Sequence, residues 1–102
     1  MYELEQITHY LRKFELDEDH IKRCYEMIPD PAGKVESQDK LFIECKTQYD
    51  INTIGSFIEN ITTGIDKGHI INAIKRTASQ FSYVYEIPRI AFYVVVLSKI
   101  VK

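Results

Sequence analysis

The run Ile90-Ala-Phe-Tyr-Val-Val-Val-Leu97 constrains this chain more than any other segment, because eight consecutive apolar residues leave no face that can be given to water. An element with this composition must be covered on every side. Three consecutive valines and the flanking isoleucine and aromatic residues are β-formers, so the run reads as a strand buried on both faces. A buried helix gives the same unbroken pattern and is the alternative, since periodicity does not discriminate when every position is apolar.

The other segments carry a clearer period. Leu4, Ile7, Leu11 and Phe14 recur at spacings of three and four, which predicts a helix from Tyr2 to Phe14. Asp17 is placed to cap a second helix with Ile21, Cys24, Tyr25 and Ile28 facing inward, and Pro29 ends it. Residues 29–39 combine Pro, Asp, Gly and Ser with no apolar period and read as an exposed loop. In Leu41-Phe-Ile-Glu-Cys-Lys-Thr-Gln-Tyr49 the positions alternate, which predicts a half-buried strand over 40–49 with Glu44 and Lys46 on its outer face. Asp50 or Asn52 then caps a third helix carrying the stripe Ile51, Ile54, Phe57, Ile58 and Ile61, with Gly64 near its end. Asp66 caps a fourth, with Ile70, Ile71, Ile74, Ala78 and Phe81 inward and Lys75 and Arg76 outward. Phe81, Tyr83, Tyr85 and Ile87 alternate with Ser82, Val84 and Glu86, as in a strand that Pro88 terminates.

The resulting expectation is one α+β domain over 1–102, in the order α-α-β-α-α-β-β, with a small sheet against which the helices pack; an all-α bundle is the alternative. At 102 residues there is room for one core. Hydrophobic residues at 45% and charged residues at 27% are globular values, which excludes an extended disordered chain. Cys24 and Cys45 stand in apolar registers of different elements and form no CxxC, so they read as reduced thiols in a cytosolic protein. The longest apolar run is too short to span a bilayer.

Net charge is −2 but unevenly distributed. Residues 1–50 hold twelve acidic against seven basic side chains, whereas residues 51–102 hold three against six. The acidic cluster Glu15, Asp17, Glu18 and Asp19 lies at the start of the second helix, where a DNA phosphate would be repelled, so a helix-turn-helix reading of the first two helices fails and nucleic acid is disfavoured as a partner. The same cluster could meet a basic protein. Tyr83 and Tyr85, with Tyr93, carry the amphipathic rings that protein interfaces favour.

Catalytic motifs are sparse. His9, His20 and His69 have no zinc-ligand spacing, and the four glycines form neither a GxGxxG nor a GxxxxGK loop. Glu44-Cys-Lys46, preceded by Leu41-Phe-Ile43, resembles the hydrophobic-E-x-K strand of the PD-(D/E)xK nuclease superfamily. The resemblance implies Glu44 as a Mg²⁺ ligand and Lys46 as the group that orients the attacking water or offsets charge on the phosphorane. It also implies an upstream aspartate, Asp30 or Asp39, and the basic face at Lys75 and Arg76 would border the site. The family pairs that aspartate with a hydrophobic strand, which residues 30–39 do not supply. The sequence therefore favours a non-enzymatic domain that binds another protein, such as an inhibitor, an immunity-type protein or an adaptor, with no cofactor. The Mg²⁺-dependent nuclease is the alternative.

Overall fold

The structure is a computed structural model that describes residues 4–28, 42–84 and 87–101. The loop expected over 29–39 lies outside the described residues. The described residues hold five α-helices: α1 Leu4–Tyr10, continued by a 3-10 turn Leu11–Phe14; α2 Glu18–Met27; α3 Gln48–Ile61; α4 Lys67–Gln80; and α5 Arg89–Ile100. Two short strands, β1 Phe42–Ile43 and β2 Ile87–Pro88, form one antiparallel pair with Ile43 opposite Ile87 and Phe42 opposite Pro88. Helix takes up 74% of the described residues. The expected α+β fold with a small sheet is thus replaced by a helical one.

The apolar run of the C-terminal segment explains the difference. Residues 90–97 are helical, not extended, and all eight are buried, as is Ile100. Either conformation would remove these side chains from water, so side-chain burial does not choose between them. Backbone hydrogen bonding does. A strand buried on both faces needs a paired neighbour on each edge, and each unpaired buried N–H or C=O costs about 1–3 kcal/mol. The described strands contribute two residues each, whereas a helix bonds its backbone internally. The propensity cost of valine and isoleucine in a helix, a few tenths of a kcal/mol per residue, is small beside that.

The remaining helices wrap α5. It packs against α1, α2, α4 and both strands. α3 reaches it through Phe57, whose ring stacks on Tyr93 with centroids 4.5 Å apart. Phe81, fully buried just past the end of α4, touches Phe14 at 5.0 Å and Phe92 at 5.7 Å, so one ring joins the first, fourth and fifth helical segments. Ile7, Leu11, Ile21, Cys24, Ile54, Ile58, Ile70 and Ile74 also belong to the core and are among the inward positions that the helical periods assign. The buried Thr77 hydroxyl donates to the Ala73 carbonyl at 2.8 Å, which satisfies the polar group within its own helix.

The helix starts are set by short side chains. Asp17 caps α2 and Asp66 caps α4, each accepting from the backbone N–H three residues on, at 3.3 Å. For α3 the expected cap was Asp50 or Asn52; the observed one is Thr47. Thr47 Oγ1 accepts from the Asp50 N–H at 3.1 Å while Asp50 Oδ2 accepts from the Thr47 N–H at 3.1 Å, a reciprocal capping box. The predicted strand 40–49 accordingly contains only Phe42 and Ile43 in extended pairing among the described residues, and Gln48 and Tyr49 belong to the helix. Gly64, at φ 75°, lies beyond Thr62, the residue that closes α3.

The strand expected over 81–87 is also corrected. Residues 81–83 form a turn, with the Val84 N–H bonded to the Phe81 carbonyl at 3.0 Å. Tyr83, assigned to the core side by alternation, is 98% exposed, while Val84 is partly buried. Pro88 belongs to the strand pair and sits immediately before α5.

Two mutations test this architecture. Phe92→Ala should lower unfolding free energy by about 3–5 kcal/mol in chemical denaturation, because it removes a fully buried ring beneath Phe81. At Gly55, an added Cβ would lie 2.9 Å from Ile71 Cδ1, the movable end of a partly buried side chain. Gly55→Ala should therefore change stability by less than about 1 kcal/mol, the gain in helix propensity offsetting the crowding. Gly55→Leu should destabilise by roughly 1–3 kcal/mol by forcing α3 from α4.

Candidate functional site

A groove opens where β1 and the start of α3 face the turn after α4. Glu44, Cys45, Lys46, Tyr49 and Asp50 line one side of it, and Phe81, Ser82, Tyr83 and Val84 line the other. Tyr93 and Arg89 contribute from α5, and Ile43, Ile54 and Ile87 add apolar surface. The capping box at Thr47 positions the first side: it turns the chain from β1 into α3 within four residues and fixes the direction of Tyr49. The turn at residues 81–83, held by the burial of Phe81, carries Tyr83 outward on the second side.

Several polar groups of the groove are engaged in the protein's own structure. Asp50 Oδ2 accepts from the backbone N–H of both Lys46 and Thr47, at 3.0 and 3.1 Å. The Lys46 N–H bond is the leading reason that the Asp50 carboxyl is held below its ordinary range, with Thr47 and the Lys46 charge adding to it against partial desolvation. An Arg89 guanidinium nitrogen donates to the Tyr93 hydroxyl at 3.1 Å. Cys45 is partly buried, and burial, reinforced by the neighbouring Asp50 carboxylate, pushes its thiol upward. At neutral pH it is a protonated thiol and a poor nucleophile.

Glu44 and Lys46 are brought to the same groove but not to one strand. β1 ends at Ile43, and both side chains are exposed on the irregular link to α3. The one-face geometry of the E-x-K motif, which rests on a continuous strand, is therefore not met. Among the described residues the other carboxylate of the groove is Asp50, whose Oδ2 is committed to the helix cap. No group of three or more His, Cys, Asp or Glu side chains suited to a metal ion occurs among the described residues. Asp30 and Asp39, the upstream candidates, lie outside the described residues. Lys75 and Arg76 are exposed on α4 and do not line the groove.

The acidic cluster is separate from this groove. Glu15, Asp17, Glu18 and Asp19 are all exposed, and none of them lines it. Asp17 is the α2 cap, Glu18 and Asp19 occupy the first turn, where carboxylates favour the positive helix end, and Glu15 closes the 3-10 turn in the left-handed region at φ 56°. Tyr85 lies outside the described residues.

Two features were missed in the sequence. Tyr49, read as an inward strand residue, is 77% exposed; Thr47-Gln-Tyr-Asp50 was the available signal, because Ser or Thr three residues before an acid marks a helix start. His20, which has no zinc-ligand spacing to the other histidines, is partly buried and joins α2 to the end of α5. Its Nε2 lies 3.2 Å from the Ser98 carbonyl and Arg23 Nη2 lies 3.3 Å from its Nδ1. A carbonyl can only accept and a guanidinium only donate, so this pairing selects the tautomer protonated on Nε2. No such partner can be read from local sequence. Cys24 and Cys45 are both free, and burial pushes the Cys24 thiol up to about 11.

The capping box makes a pH prediction. A carboxyl held below its unfolded value contributes stability that is present above that value, about 3.9, and is lost as pH falls through the folded value. Asp50→Ala should therefore destabilise by about 1 kcal/mol at pH 7, and the difference from the unmodified protein should shrink on acidification from pH 5 to below 4. Thr47→Ala should cost about 0.5–2 kcal/mol at pH 7. Thermal unfolding across that pH range measures both.

No protein-family model matches this chain, and neither the curated proteins nor the solved structures compared with it give a match.

Proposed function

We propose that this chain is a non-enzymatic, cytosolic domain that acts by binding another protein, in the manner of an inhibitor, an immunity-type protein or an adaptor, and that Tyr49 and Tyr83 anchor the contact. One observation carries the reading: these two tyrosines are the large apolar side chains left exposed among the described residues, at 77% and 98%, and both line the same groove. A tyrosine ring offers a large contact area with few torsions to freeze and ends in a hydroxyl that can pair across an interface. The partly buried side chains of Val84 and Ile87, which line the same groove, give a partner apolar surface to desolvate.

The acidic cluster at Glu15, Asp17, Glu18 and Asp19 enters this reading as a steering element. Exposed charges remote from the packed centre of an interface accelerate encounter with a partner of opposite sign more than they add affinity. The partner in this proposal is a protein with a basic surface, and no cofactor is required. The tightly engaged Asp50 and the protonated Cys45 support a groove that binds rather than reacts.

Affinity capture from an extract of the native host, with immobilised wild-type protein and the Tyr49→Ala/Tyr83→Ala double variant side by side, tests the proposal. A specific protein should be retained by the wild type and weakened by at least about tenfold with the double variant, as expected for loss of anchor residues. Stability should move by about 0.5 kcal/mol or less per site, because both side chains project from the surface. Raised salt should weaken the wild-type interaction. Equal retention of the partner by both proteins would overturn the tyrosine surface, and retention indifferent to salt would remove the acidic cluster from it.

A further inference from the structure

No further inference is drawn: the strongest candidate, the groove between the start of α3 and the turn after α4 with Tyr49 and Tyr83 on its rim, belongs to the surface already described, and nothing in the structure shows what covers it.

Discussion

The other described elements of this protein are placed by the need to cover α5. A helix that is apolar around most of its circumference has no stable position except the middle of a fold. From Ile90 to Leu97 every side chain is buried, so neighbours are required around the helix. α1, α2 and α4 supply three of them, the β1–β2 pair supplies another, and Phe57 of α3 closes over Tyr93. Each of the surrounding helices is amphipathic because it has one task, to face α5 or a helix that does, while its other side meets water. The polar faces with their charges follow from that division.

The same constraint accounts for the form of the groove. Phe81 must enter the core to pack against Phe14 and Phe92, and it does so at the residue where α4 ends. Once Phe81 is drawn inward, the turn that follows has its next side chains directed away, and Tyr83 projects into solvent. On the opposite side, Ile43 is buried beside α5 and the chain must then reverse into α3, which the Thr47–Asp50 capping box accomplishes. Two tyrosines are left facing water across a short distance of sequence from two anchored apolar residues.

The fate of the Glu44-Cys-Lys46 segment illustrates how a short pattern depends on its setting. Alternation from Leu41 to Tyr49 is compatible with a strand, and on a strand the carboxylate and the ammonium would share one face. The competing local signal, Thr47 three residues before Asp50, begins a helix inside the same window. The helix prevails because its stripe of Ile51, Ile54, Phe57, Ile58 and Ile61 extends over three turns, whereas the strand has only a two-residue partner in β2. A strand is stabilised through its neighbours, and a short neighbour gives short pairing. Thus the nearby apolar stripe decided the conformation of residues whose own pattern pointed elsewhere.

What was legible in the sequence was whatever depended on local chemistry. The caps at Asp17 and Asp66, the inward faces of α2, α3 and α4, and the burial of residues 90–97 all follow from residue type and spacing, because caps and helical stripes act within one or two turns. The conformation of 90–97 was not legible, since a continuous apolar run obeys any period. Its extent was a usable sign: Ile100 prolongs the apolar pattern by one helical turn past Leu97, longer than most strands. The exposure of Tyr83 and the bonding of His20 to the Ser98 carbonyl were decided only by the tertiary structure. In each case the partner, or the pull of a buried neighbour, comes from another element, seventy-eight residues away for His20, and no local pattern encodes which distant surface a side chain will meet.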